Sequence, residues 1–263
     1  MEIISSMANA TVKYIKALKQ KKFREEYQAF FVEGLRFSME ALQSGWEIQW
    51  VLMTETFYKE HGEDSVLQSF AQQTLVVTEK ILKELSETEH PQGVLTVVSM
   101  KNTQQTALTG RRLLLLDCLQ DPGNMGTIIR TADAFAFDGI LVSQGCVDVF
   151  NGKVLRATMG SVFHIPIWQV GTSLDAVQQL KEAGYLVYAT HLQGNTMKNI
   201  QNTKEKVALI IGNEGKGIAP EVAKAADKWV KIPMPGQAES LNASVAAAIF
   251  MYTMMNEEGK VDE

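Results

Sequence analysis

Apolar positions change their spacing repeatedly along this 263-residue chain, and each change marks the end of one element and the start of another. Between Ala8 and Gln28, the residues Val12, Ile15 and Leu18 fall on one helical face with lysines on the others, which predicts an amphipathic helix. A short strand at Phe30 to Glu33 follows, then a helix over Leu35 to Gln43 that stops at Gly45, and a strand at Ile48 to Met53. A polar helix around Glu63 to Gln72, strand Thr74 to Thr78, helix Glu79 to Glu87, a turn at His90-Pro91-Gln92-Gly93 and strand Val94 to Met100 come next. Residues 1–100 are thus predicted as one compact α/β or α+β domain. In 101–110, Thr and Gln break the periodicity, and the stretch reads as a linker.

Beyond it the strands lose their alternation. Leu113 to Leu119 is a continuous apolar run of the kind buried on both faces of a parallel sheet. Helix Thr127 to Phe135, strand Ile140 to Ser143, helix Lys153 to Phe163, strand Ile167 to Val170, helix Leu174 to Ala183 and strand Tyr185 to Thr190 follow in strict rotation. Two further apolar strands begin at Val207 and at Trp229, and an Ala-rich helix runs to about Tyr252. This rotation predicts a parallel sheet covered by helices over residues 111–263.

Composition narrows the function classes. No apolar run approaches the roughly 20 residues of a membrane span, and the amino terminus lacks a signal-peptide pattern, which places the protein in the cytoplasm. Cys118 and Cys146 lie in apolar surroundings and are expected to be buried free thiols. Four histidines and two cysteines show no ligand spacing, so no metal is expected. The net charge of −5 argues against coating nucleic acid by bulk electrostatics. Residues 1–30 nevertheless hold six Lys or Arg against three acids, leaving +3 there and −8 elsewhere. Such a segment is either a phosphate-facing surface or a solvated helix face.

Three loops where predicted strands end gather glycine, asparagine and carboxylates. The first is Asp121-Pro122-Gly123-Asn124-Met125-Gly126, with Arg130 one helical turn past Gly126, where a guanidinium could pair with a phosphate. Taken alone, this loop reads more simply as a plain strand-to-helix turn with a surface Arg. The second, Gly212-Asn213-Glu214-Gly215-Lys216-Gly217, fits neither the P-loop nor the dinucleotide pattern, because Lys216 precedes Gly217 and a carboxylate sits in the middle. Glu214 suits a cationic or hydrogen-bond-donating partner, and a glycine turn with an exposed acid explains the loop equally. In the third, Pro235-Gly236-Gln237-Ala238-Glu239-Ser240-Leu241-Asn242, Ser240 is the expected N-cap of the last helix, with Asn242 in its first turn. Ala243, Ala246, Ala247 and Ala248, followed by Met251, Met254 and Met255, place that helix in the core or at a subunit contact.

Taken together, the loops resemble the SpoU–TrmH branch of the SPOUT RNA 2'-O-ribose methyltransferases. The resemblance rests on N-x-G-x-x-x-R (Asn124, Gly126, Arg130) continuing as R-T-A-D-A-F, on L-I-I-G-N-E-G-K-G-I, and on I-P-M-P-G-Q-A-E-S-L-N-A-S-V-A, with V-L-R-A-T-M-G-S from Val154 to Ser161 in support. It spans Leu113 to roughly Tyr252. One departure is Ala136, where the family often has glycine, and the expected effect is on packing. The resemblance implies a trefoil-knotted α/β domain that binds S-adenosylmethionine and works as a homodimer without a metal. It implies a cofactor cradle around Gly194, Gly212, Ile232 and Leu241, and catalytic motif positions at Asn124, Arg130, Glu214, Ser240 and Asn242. Residues 1–100 resemble the substrate-binding domain of that family, similar to a ribosomal-protein RNA-binding fold. The implied activity is 2'-O-methylation of structured RNA, with ribosomal RNA favoured over transfer RNA and over a non-catalytic RNA-binding role.

Overall fold

The computed structural model describes residues 3–101, 108–196 and 206–256, so the predicted linker lies mostly outside the described residues. Two compact units result. Met1–Asn102 together with Phe150–Phe163 forms one, and Thr103–Val149 together with His164–Glu263 forms the other.

The first unit is built on a five-stranded sheet of β1 (Ile3–Ile4), β2 (Ala29–Glu33), β3 (Ile48–Thr54), β4 (Thr74–Val77) and β5 (Val94–Ser99) in the order β1-β4-β3-β5-β2. The β1, β4 and β3 strands run parallel, while β5 is antiparallel to both β3 and β2. Val12, Ile15 and Leu18 pack with Ile81, Leu82 and Leu85 against Phe31, Leu52, Val77, Leu95 and Val97. The single helix expected over Ala8 to Gln28 is two, α1 (Ala10–Ala17) and α2 (Lys21–Tyr27). A tertiary partner marks the break: the guanidinium of buried Arg24 donates to the Leu18 carbonyl at 2.7 Å. The basic face is also partly consumed, because Lys16 pairs with Glu84 and Lys19 donates to the carbonyls of Glu84 and Ser86. Helices α3 (Leu35–Gln43) and α6 (Glu79–Leu85) match expectation closely. The polar helix is shorter, as α5 (Ser65–Ser69), and is preceded by an unexpected α4 (Glu55–His61) that Thr54 caps by accepting from the Phe57 amide.

Phe150–Phe163 joins this unit through Phe150 and Phe163, whose rings lie 4.6 and 6.2 Å from that of Phe30. Its helix α8 (Gly152–Thr158) stops earlier than expected because Met159 and Gly160 adopt left-handed conformations, leaving Ser161–Phe163 as a single 3₁₀ turn. Arg156 reaches Glu33 and Glu87, each at 3.3 Å.

The second unit is an all-parallel six-stranded sheet. Its strands are β6 (Arg112–Leu116), β7 (Gly139–Val142), β8 (Ile167–Gln169), β9 (Tyr185–Thr196), β10 (Lys206–Ile211) and β11 (Lys228–Lys231), ordered β11-β9-β10-β6-β7-β8. Helices α7 (Pro122–Ala134), α9 (Ser173–Glu182), α10 (Pro220–Ala225) and α11 (Ala243–Asn256) accompany it. Leu113 and Leu115 pack toward α9 and α10, and Leu114 and Leu116, on the other face by strand alternation, are equally buried. That explains why this strand reads as an unbroken apolar run. The chain leaves β6 towards β7 and β8, then returns to lay down β9, β10 and β11 on its other side. The crevice between the carboxyl ends of β6 and β10 is therefore the topological switch point, where open α/β sheets bind ligands. Strand β9 is longer than expected: Ala189 faces Trp229 but Asn195 faces Val230, so Thr190–Gly194 is extra length relative to β11.

Cys118 and Cys146 are free and half-buried, a correction to the expected full burial. Burial pushes both thiols above their ordinary pKa, which keeps them protonated and weakly nucleophilic. Among the described residues no helix is long and apolar enough to cross a membrane.

Ala136 corrects a second expectation. Its φ of 51° places it in the left-handed region just past the end of α7, so the missing glycine is a matter of backbone strain more than of packing. Its exposed methyl loses little on removal, and Ala136→Gly should therefore stabilise the second unit by about 0.5–1 kcal/mol, read as a higher urea midpoint. An unchanged or lower midpoint refutes the strain.

Candidate functional site

The carboxyl end of β6 leads into α7 through Asp121, whose side chain accepts from the Asn124 amide at 2.8 Å, with Pro122 in the first helical position. The carboxyl end of β10 leads into a closed loop in which Asn213 and Gly217 exchange backbone hydrogen bonds of 3.0 and 2.9 Å. The Asn213 side chain accepts from the amides of Gly215 and Lys216 and donates to the Cys118 carbonyl at 2.8 Å. Gly212 permits this closure, since a Cβ there would stand 2.4 Å from the backbone of Gly217 and Ile218.

Glu214 projects from this loop across the switch point. Its carboxylate accepts from the Gln120 amide at 3.1 Å, the Asp121 amide at 2.9 Å and the Asn124 side chain at 3.1 Å. The Asn124 oxygen then accepts from Asn242 at 2.9 Å, and the Asn242 oxygen accepts from the Ser244 amide, the Ser244 hydroxyl and, at 3.3 Å, the Val245 amide. These orientations are mutually enforced. A carboxylate only accepts and a backbone amide only donates, so both asparagine side chains have one consistent orientation between them. Three loops, after β6, after β10 and before α11, are locked by one relay.

Of the expected site residues, the structure brings Asn124, Glu214 and Asn242 together. Asn124 is 7% exposed with both amide ends engaged. Arg130 lies exposed on α7 and is not one of the residues that the relay joins. Ser240 is also exposed, and it is not the cap of the last helix: Asn242 takes that role, because the backbone becomes helical only at Ala243. Gly194, Gly212 and Ile232 lie at or just past the carboxyl ends of the neighbouring strands β9, β10 and β11, and Leu241 is exposed beside Asn242. At Gly194 a Cβ would stand 2.6 Å from the Val230 nitrogen. Sequence reasoning missed Asn213, although an Asn set among glycines just past the end of a strand is a signal for a side chain that closes a turn. Among the described residues no group of three or more His, Cys, Asp or Glu could hold a metal.

Burial is the largest influence on Glu214 and pushes its carboxyl up, but hydrogen bonds from the Asp121 amide, the Asn124 side chain, its own amide and the Gln120 amide together bring it below the ordinary carboxylate range.

A switch-point rim of closely approached glycines, tied by an Asn and Glu relay at the ends of an all-parallel sheet, defines an α/β domain of the ligand-binding, open-sheet class. The comparisons make the class specific: the chain belongs to the SpoU rRNA Methylase family, whose model matches residues 111–252. Residues 9–96 match the MRM3-like substrate binding domain. The chain is 38% identical over 253 residues to the 23S rRNA (guanosine(2553)-2'-O)-methyltransferase RlmP of Bacillus subtilis, covering 96% of this chain and 98% of that one. It is also similar to the AdoMet-bound rRNA methyltransferase from Sinorhizobium meliloti, with 34% identity, a TM-score of 0.85 and 98% of each chain covered. The SpoU methyltransferase AviRb from Streptomyces viridochromogenes, in complex with AdoMet, aligns at 28% identity with a TM-score of 0.81, covering 95% of this chain and 98% of that one.

The lowered pKa of Glu214 gives a pH signature. Its ionised form stabilises the fold above the unfolded-chain value of about 4.3, and that stabilisation is lost as pH falls through the lower folded value. Wild-type protein should therefore exceed Glu214→Gln in stability near neutrality, with the gap closing in urea titrations as pH falls below the unfolded-chain value and through the lower folded one. A gap independent of pH would count against the arrangement.

Proposed function

We propose that this chain transfers a methyl group from S-adenosylmethionine to a ribose 2'-hydroxyl in structured RNA, with ribosomal RNA as the substrate class. The observation that carries the proposal is the Glu214–Asn124–Asn242 relay, which fixes one rim of the switch-point crevice while leaving Arg130 exposed on the first helix beyond it. The identities of the relatives support the substrate class, since RlmP acts on 23S rRNA and the Sinorhizobium protein is an AdoMet-bound rRNA methyltransferase. A cytoplasmic location follows from such a substrate.

The residues present fit the cofactor. Backbone at Gly212 and Gly194 approaches its neighbours too closely for any side chain, and these glycines share the sheet rim with Ile232 and Leu241. These four would hold it. When bound, it supplies an electrophilic methyl group, so no metal is needed to activate the donor. The protein's own task is to orient the ribose and manage its proton. The Arg130 guanidinium has donors and no acceptor, so it serves to orient the nucleotide phosphate or to stabilise developing alkoxide. Asn124, with both amide ends engaged, positions the rim. Ser240, exposed two residues before the cap, is available to hydrogen-bond substrate.

Residues 1–100 serve RNA capture in this reading, supported by the match to a substrate binding domain and by Lys13 and Lys22, which remain outward-facing. The working unit is a homodimer. Its support is α11, which buries Ala247, Phe250, Met251 and Met254 yet exposes Val245, Ile249 and Tyr252 at 47%, 39% and 52%, an apolar stripe suited to a second copy. The family reading also carries a trefoil knot, supported by the path of 232–241, which must cross the ends of β9 and β10 to bring Asn242 to Asn124.

Incubation with tritiated S-adenosylmethionine and separated rRNA and tRNA, from cells lacking the protein, should label rRNA. Label in tRNA alone overturns the substrate class. Arg130→Ala should lower transfer by about 100-fold or more while cofactor affinity stays within about twofold. Transfer at the wild-type rate removes the role. Ile249→Glu should shift sedimentation from dimer to monomer, and a wild-type profile removes α11 from the subunit contact.

A further inference from the structure

Asp117 ends the apolar strand β6 as a carboxylate only 4% exposed, and nothing in the methyl-transfer reading accounts for it. Its own amide donates to the Ile211 carbonyl at 2.8 Å, making it the last rung between β6 and β10. One carboxylate oxygen accepts from the Ser173 hydroxyl at 2.5 Å, and the other accepts from the Ala219 amide at 3.1 Å. Ser173, itself 6% exposed, is the first residue of α9. Ala219 stands at the start of α10, where an alanine offers no side-chain oxygen and no side-chain cap is formed. A buried carboxylate is costly unless hydrogen bonds and nearby positive potential compensate it. Here two charge-assisted bonds and the amino-terminal ends of two helices do so.

The position of these bonds matters more than their strength. The next residue, Cys118, takes a left-handed φ of 53° and turns its carbonyl onto the Asn213 side chain. Two successive residues at the end of β6 thus hold the loop after β10 at both its ends, Asn213 near the beginning and Ala219 at the exit. Glu214 lies between those anchors and reaches back to Gln120 and Asp121 on the segment that Asp117 begins.

We propose that Asp117 is a positioning residue for the methyl-transfer site: with Ser173 and Ala219 it fixes the exit of the 212–218 loop, and so sets where Gly212 presents its backbone and where Glu214 meets the relay. This rests on the proposed cofactor cradle at Gly212. Asp117→Ala removes both acceptors. Asp117→Asn keeps the shape, because its oxygen can take the Ala219 amide while the Ser173 hydroxyl rotates to accept from its nitrogen.

The test measures kcat, KM for S-adenosylmethionine and affinity for rRNA in full-length variants, at a temperature where circular dichroism shows each folded. Asp117→Ala should raise KM for S-adenosylmethionine about tenfold and lower kcat, with rRNA affinity within about twofold of wild type, and Asp117→Asn should recover most of the loss. A role in stability alone lowers the unfolding temperature and leaves these constants unmoved, so a folded Asp117→Ala protein with wild-type constants overturns the proposal. Should Asp117→Ala not fold, Ser173→Ala decides: a rise in KM of about threefold supports the positioning role, and a wild-type KM refutes it. Wild-type protein that neither binds the cofactor nor methylates rRNA removes the functional reading itself, a result distinct from an active wild type with unaffected variants.

Discussion

Glu214 is a carboxylate matched by donors instead of by a cation, and the rest of the site is ordered by that fact. Because the carboxylate can only accept, the amides of Gln120 and Asp121 must face it, and Asn124 must present its nitrogen. Asn124 is then left with an oxygen to offer, which selects the nitrogen of Asn242 and leaves the Asn242 oxygen to cap α11. The start of α7 and the start of α11 are consequently set by one acceptor on a loop that belongs to neither. A salt bridge at Glu214 would bind more flexibly and fix fewer directions, whereas this chain of amides carries orientation from one loop to the next.

The relay works because it hangs on a sheet with little freedom of its own. Leu113 through Leu116 are fully buried, so after Arg112 at its start the central strand has no polar side chain before its carboxyl end. Polar groups resume at Asp117, on the rim. The division is the usual one for open parallel sheets, with a rigid apolar scaffold below and loop chemistry above. In this chain the rim is unusual in that consecutive residues look in different directions: Asp117 toward the starts of α9 and α10, Cys118 toward Asn213, and Gln120 and Asp121 toward Glu214.

Element types in the second unit were legible because its central strands β6 and β10 are apolar runs that stop at Asp117 and Gly212. The loops that carry the site were legible for the same reason. Choice of partner was not. Ser240 is a good capping residue by type, yet Asn242 caps α11, since its side chain is oriented by Asn124 from 118 positions away. The break between α1 and α2 has no proline or glycine to announce it and coincides with Arg24 seizing the Leu18 carbonyl. In α8 the stop comes from two left-handed residues, of which only Gly160 is recognisable beforehand. Local spacing reports which face of an element is apolar; it is silent about a hydrogen bond whose other half lies across the fold.

Electrical closure of the relay also explains what is left over for a substrate. Arg24 and Arg156 are occupied by the chain itself, one on a carbonyl and the other between Glu33 and Glu87. Glu214 is not closed in that way. It is saturated by amide donors, and Arg130 on α7 stays exposed. In the proposed function, that exposed guanidinium is the group left to meet an anion brought from outside, such as a phosphate of the RNA backbone.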